Sequence, residues 1–231
     1  MSAAAGTLNR TLKFYEASLG KKAVMAVTGC ILVGFVLGHM LGNLQIYIGA
    51  GQLNAYAAKL HSLGGALWLI RGFLLLTVAI HLTAAVQLWL MNRAARPEGY
   101  RKQGWVEASF ASRTMIYSGP ILAGFIVYHL LHFTTGHCLA GGLTLTADGH
   151  IDVYSNVVRG FSYAPASIIY IISMVLLGYH LSHGIWSMFQ SVGLSHPRYT
   201  PIIKKIAMAL TILIAAGNIS IPVAVLTGVI R

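Results

Sequence analysis

Polar and apolar positions divide this chain into five long apolar runs separated by short basic or polar connections. The runs cover roughly residues 23–48, 66–91, 114–136, 165–190 and 206–230. Each exceeds the ~20 residues that a helix needs to cross about 30 Å of hydrocarbon. Lipid offers no partner for backbone N–H and C=O groups, so runs of this kind are expected as helices. The first run is too long for a signal-peptide core and has no A-x-A site after it, so it reads as a retained span. Pro165 suits a first helical turn, whereas Pro120 and Pro222 fall inside runs and predict local kinks. The expected fold class is an all-α integral membrane protein, one domain over residues 1–231, with the first four spans forming a four-helix bundle.

Composition agrees: 56 % of the 231 residues are hydrophobic and 9 % are charged. A soluble domain carries about 25 % charged residues, so this chain has too few to cover a normal wet surface. The net charge of +11 points away from nucleic acid, because the basic residues flank apolar spans. A membrane and an extrinsic protein partner fit better. Twelve basic residues precede the first span or lie between the second and third or fourth and fifth. The opposite side has only Lys59, Arg71, Arg159 and Arg231. The positive-inside rule then places the N-terminus in the cytoplasm and the C-terminus outside.

Against this apolar background, four spans each carry an embedded histidine: His39, His81, His129 and His180. Ionisable side chains at membrane depth are costly and mark functional sites. His39 lies 17 residues beyond Lys22 and His129 lies 16 beyond Arg113, which puts both about 25 Å from the cytoplasmic boundary. His81 and His180 each precede their cytoplasmic loop by about 11 residues, or roughly 16 Å. Depth therefore pairs His39 with His129 on the outer side and His81 with His180 on the inner side.

An internal repeat supports the pairing. Thr28-Gly29-Cys30-Ile31-Leu32-Val33-Gly34-Phe35 leads to His39, and Ser118-Gly119-Pro120-Ile121-Leu122-Ala123-Gly124-Phe125 leads to His129 at equal spacing. His81-Leu82-Thr83 is echoed by His180-Leu181-Ser182. Two neutral imidazoles per centre fill both axial positions of a haem iron, an arrangement suited to electron transfer. Two haems b are the expected cofactors. Without a C-x-x-C-H motif there is no attachment point for c-type haem, and Cys30 and Cys138 are too few for a disulfide framework. Gly34, Gly38 and Gly42 free one face beside His39, either for a flat macrocycle or for close helix packing. His132 and His183, three residues beyond His129 and His180, are secondary candidates for ligation, for a propionate contact or for a quinone pocket. His61, His137, His150 and His196 fall in connections and read as surface residues.

The five spans, the two spacings to His39 and His129, and the stretch Gly178-Tyr179-His180-Leu181-Ser182-His183-Gly184-Ile185-Trp186-Ser187 resemble the dihaem cytochrome b subunit of succinate:quinone oxidoreductases. The resemblance covers about Gly20 to Ile230. It implies that His39, His81, His129 and His180 are the axial ligands, in the pairs that depth gives. It also implies a membrane anchor, in a bacterial-type cytoplasmic membrane, for a flavoprotein and an iron–sulfur subunit. Such a subunit passes electrons between the iron–sulfur partner and membrane quinone. Some fumarate reductases of this family carry a glutamate two residues before the fourth ligand; here that position is Gly178. No soluble segment is long enough for a flavin or a cysteine-ligated cluster, so succinate chemistry is expected on the partner subunits. The basic stretches Thr7–Lys22 and Asn92–Arg113, with Tyr100, Trp105 and Phe110, are the expected cytoplasmic contact surface or interface anchors. Quinone candidates are Ser112 and Arg113 on the inner side and His132, His137 and Asp148 on the outer side. The competing readings are a different dihaem b cytochrome, such as a hydrogenase or formate dehydrogenase membrane subunit, and a haem-free histidine-lined transporter. The transporter reading suffers from the absence of Asp or Glu in any span.

Overall fold

A computed structural model describes residues 13–95 and 109–231. The expected positions Tyr100 and Trp105, and the basic residues Arg10, Arg96, Arg101 and Lys102, lie outside the described residues. Seven α-helices are named here: α1 Ser18–Asn43, α2 Ala50–His61, α3 Gly65–Ala94, α4 Phe110–His129, α5 Val153–Ser162, α6 Ala164–Ser191 and α7 Thr200–Leu226. Among the described residues there is no strand, only one isolated bridge between Leu145 and Ile151. Five segments, Ser18–Tyr47, Gly65–Ala94, Phe110–Thr134, Ala164–Ser191 and Thr200–Leu226, are long and apolar enough to cross a membrane. The chain is an all-α, multi-pass membrane protein.

The spans are close to those expected but extend further at their basic ends. The fifth starts at Thr200 rather than near residue 206, because Pro201 sits in its first turn and the helix takes in Lys204 and Lys205. Pro165 occupies the first turn of α6, while Pro120 and Pro222 lie inside α4 and α7. Lys21, Lys22, Arg93, Arg113, Lys204 and Lys205 all fall at one end of the spans. Trp89 lies under Arg93 and Trp186 under Lys204, with charge-to-ring distances of 5.5 and 4.8 Å. Amphipathic rings of this kind suit the headgroup layer.

The packing is uneven. The closest neighbours are α6 with α7, α1 with α3, α4 with α6, and α1 with α6. Neither α1 with α4 nor α3 with α6 is closely packed, and α3 packs closely against α1 alone. Helix association in lipid relies on small residues that admit a neighbour. Gly217 of α7 does so: a Cβ there would collide with the Met40 thioether of α1. Met40, Leu181, Ile185, Ala207 and Ile214 form the resulting seam among α1, α6 and α7.

The end away from Lys21, Lys22, Lys204 and Lys205 carries a compact cap, built from segments that the hydropathy pattern predicts only as connections. A short 3-10 turn over Leu44–Tyr47, then α2 and α5, packs with the ends of α6 and α7 around Ile46, Leu53, Phe161, Tyr170 and Ile221. Asn54 joins α2 to α5. Its amide donates to Asp152 Oδ1 at 2.9 Å, and its Oδ1 accepts from the Tyr154 N–H at 3.0 Å. Asp152 caps α5, accepting from the Ser155 N–H at 3.1 Å and from the Ser155 hydroxyl at 2.7 Å. Burial opposes ionisation of Asp152, but these bonds outweigh it and hold the carboxyl below its usual range. His61 closes α2 rather than lying in a loop, and burial, Arg71 and His150 together lower its pKa.

Candidate functional site

The four span histidines sit on α1, α3, α4 and α6. The rings of His39 and His129 have centroids 5.7 Å apart and planes at 86°. Two imidazoles on opposite sides of one metal, with bonds of about 2 Å, have ring centres about 6 Å apart, and the separation here is of that size. His81 and His180 lie within electrostatic reach of each other. Each pair thus spans two helices that do not pack closely: α1 and α4 for the outer pair, α3 and α6 for the inner.

Several glycines on these helices face open space. A Cβ on Gly34, Gly38, Gly124 or Gly184 would meet nothing within 4 Å. Gly42 belongs to the other class, since a Cβ there would come within 2.7 Å of the Tyr56 hydroxyl. The glycine row before and after His39 therefore splits, with Gly34 and Gly38 facing open space and Gly42 seating α2 against α1. Gly178, two residues before His180, faces α7 instead, where its Cβ would touch Ala215 at 3.5 Å.

Hydroxyl groups hold three of the four rings by Nδ1. Thr28 Oγ1 is 2.9 Å from His81 Nδ1, and Ser118 Oγ is 3.2 Å from His180 Nδ1. Tyr170 Oη is 3.1 Å from His129 Nδ1. His39 instead stacks on Phe35 at 5.4 Å. A hydroxyl at Nδ1 orients the ring and leaves Nε2 as the available ligand atom.

A five-residue π-helical turn, Leu130–Thr134, directly follows His129. Such turns are rare and favour functional sites. It buries His132 and brings its Nδ1 to 3.2 Å from the same Tyr170 hydroxyl. His132 stacks on Tyr128 at 5.3 Å and on Phe133 at 4.0 Å. It is His129 whose ring meets His39. Among the sequence candidates, His132 is thereby placed beside the outer pair, and His183 within reach of His180.

Beyond His132 lies a cavity of about 330 Å³, lined by His132, His137, Cys138, Arg159, Gly160 and Tyr163 among others. Gly160 makes room for the imidazole, since a Cβ there would be 3.1 Å from His132 Nε2. Arg159 bonds the Asn156 side chain at 2.8 Å and the Gly142 carbonyl, and its Nε is buried with no partner among the described residues. Of the outer quinone candidates, His132 and His137 line this cavity; Asp148 sits exposed on the turn at Thr146–Gly149 and does not. On the inner side Ser112 lies in the first turn of α4, where its N–H is bound by the Ser109 cap at 3.1 Å. Arg113 is exposed, with its guanidinium over the Phe110 ring at 6.0 Å.

Tyr170 and Arg159 were not singled out by the sequence. Tyr170 is hidden in the run Ile168–Ile172, where its one signal is to be the polar member of an isoleucine-rich stretch. Arg159 reads as one more flanking charge until α5 folds over the bundle end.

Among the described residues no three His, Cys, Asp or Glu side chains gather around one point. The arrangement supplies two pairs of imidazoles. Compared with family sequence patterns, curated proteins and solved structures, the chain finds no match.

Proposed function

We propose that this chain is a dihaem b-type cytochrome acting as membrane anchor of a succinate:quinone oxidoreductase. It would carry electrons between a cytoplasmic iron–sulfur subunit and membrane quinone. The observation that carries the haem reading is the placement of two histidine pairs across the two unpacked helix interfaces, beside open glycine faces. The resemblance around His129 and His180 supports the choice of family.

Bis-imidazole haem, when bound, supplies one-electron transfer with no open coordination site. The chain's own residues fix the geometry. His39 and His129 hold the outer centre, and His81 and His180 the inner one. Gly34, Gly38, Gly124 and Gly184 keep the helices free of side chains where a flat group needs space. Apolar walls exclude water. The basic end of the bundle, with Lys13, Lys22, Arg93, Arg113, Arg198, Lys204 and Lys205, suits an acidic surface of a peripheral dehydrogenase. Quinone would meet the chain at the outer cavity beside His132 or at the inner boundary near Ser112 and Arg113.

Purified chain should show a b-type absorption spectrum and about two haems by pyridine haemochrome analysis. His39→Ala or His129→Ala should remove the outer centre, and His81→Ala or His180→Ala the inner. Haem-free protein at normal yield would overturn the reading in favour of a transporter. Haem that succinate reduces only with a flavoprotein and an iron–sulfur subunit present separates this anchor from other dihaem cytochromes.

A further inference from the structure

The repeat that leads to the outer ligands has a second role in the inner centre. Thr28 stands 11 residues before His39, and Ser118 stands 11 before His129. Yet neither hydroxyl touches the histidine of its own helix. Thr28 of α1 meets His81 of α3, and Ser118 of α4 meets His180 of α6. Each repeat unit thus contributes one outer ligand and one hydroxyl against the inner ligand on the neighbouring span.

Proton counting sets the direction of these bonds. A threonine hydroxyl has one proton to donate and two lone pairs to accept with. Thr28 directs its hydroxyl at the Val24 carbonyl, 2.7 Å away, with the Met25 carbonyl at 3.3 Å. This is the usual bond of a helical threonine to the preceding turn. Its proton being used there, Thr28 can only accept from His81, so the ring carries its proton on Nδ1 and Nε2 is bare. Ser118 repeats the pattern with longer bonds, 3.4 Å to the Met115 carbonyl and 3.2 Å to His180. Both hydroxyl residues are buried, at 7 % and 2 % exposure, so water does not compete for the imidazole. A Cβ on Gly29, the neighbour of Thr28, would lie 3.6 Å from His81 Cε1, which lets the ring lie close along α1.

We infer that Thr28 and Ser118 are matched positioning residues that fix the tautomer of the inner pair, His81 and His180, and set its redox potential apart from that of the outer pair. The inference rests on the haem reading. An Nδ1–H held by an oxygen acceptor gains electron density, and the ring becomes a stronger donor to ferric iron. Losing the acceptor favours the ferrous state.

The test is a redox titration of the intact complex, with EPR of its low-spin haems, for Thr28→Val and Ser118→Ala. Each should shift the inner haem toward the ferrous form by about threefold to tenfold; tenfold is 59 mV for a one-electron couple. Thr28→Val should shift more than Ser118→Ala, because its bond is shorter. The outer haem should keep its potential and g-values. Thr28→Ser and Ser118→Thr, which keep the hydroxyl, should restore both. If Val costs the inner haem altogether, recovery of that haem in Thr28→Ser supports the assignment, and failure to recover it overturns it. Two haems present with unmoved potentials in both variants also overturn it. Absence of haem from the unaltered chain would instead refute the underlying reading.

Discussion

Tyr170 places a single phenol proton between two imidazoles, with its Oη 3.1 Å from Nδ1 of His129 and 3.2 Å from Nδ1 of His132. A phenol that donates to one ring must accept from the other. The two neutral rings therefore take opposite tautomers. On the haem reading His129 would ligate through Nε2, so that its Nδ1–H donates to Tyr170 and Tyr170 donates to His132. His132 then presents Nε2–H beside the cavity it shares with Arg159, which makes that cavity rich in donors and fit for a carbonyl or carboxylate oxygen. Tyr170→Phe should leave both rings without this partner and cost about 1–3 kcal/mol per stranded nitrogen. Thermal unfolding should show the loss of stability, and EPR should show a change in the outer haem signal alone.

The two kinds of glycine in the bundle predict opposite outcomes for added bulk. Gly217→Val forces the Met40 thioether out of its seat and should destabilise the chain by about 1–3 kcal/mol, seen as a lower melting temperature in detergent. A Cβ on Gly38 meets no protein atom within 4 Å, and Gly38→Leu should leave the haem-free fold intact. It should nevertheless lower the haem-to-protein ratio at the outer centre. Equal haem loading in Gly38→Leu and unaltered protein would show that this face does not adjoin a cofactor.

The cap should loosen in acid. Its bonds hold the Asp152 carboxyl below its usual range. The stabilisation is therefore complete above the unfolded value of about 3.9 and is lost as pH falls through the folded one. Hydrogen exchange at the Ser155 amide, corrected for intrinsic rates, should quicken over that interval. Asp152→Asn should abolish the pH dependence, and Asn54→Ala should weaken the α2–α5 joint at every pH.

On the haem reading, quinone turnover should sense the membrane potential. The paired histidines differ in depth by about 9 Å along helices of 1.5 Å rise per residue. A full crossing of one charge is worth about 2.3 kcal/mol per 100 mV, so a partial crossing still weighs on a reaction with small driving force. In proteoliposomes, succinate oxidation at an outer quinone should speed up with the inside negative, and fumarate reduction should slow. Rates and haem reduction levels indifferent to an imposed potential would exclude net electron transfer across this depth.

Much of this architecture is legible because lipid imposes simple rules. Length and hydropathy give the five spans, and equal distances from the basic ends pair His39 with His129. The cap is illegible for the opposite reason: α2 and α5 are short, moderately polar and stabilised by side chains as distant as Asn54 and Asp152. The π-helical turn at Leu130–Thr134 has no local signature, since any apolar helix end can widen there. Thr28 and Ser118 stand out as a repeat, but the spacing points to their own helices, and only the packing of α1 on α3 and of α4 on α6 reveals the rings they touch.

The one-sided packing of α3 bears on how the molecule is made. Trp68, Leu69, Ile70 and Phe73 are among its many exposed apolar residues. Its polar ties to the rest of the described chain are Gln87 with Tyr15, at 2.8 Å, and His81 with Thr28. Such a helix is the easiest of the five to peel away into lipid. On the haem reading, a group bridging His81 and His180 would rivet it to α6, and assembly and cofactor insertion would become one event. Cells short of the cofactor should then make a chain with a loose second span that is more open to proteolysis. Abundance of the protein would follow cofactor supply with no dedicated sensor.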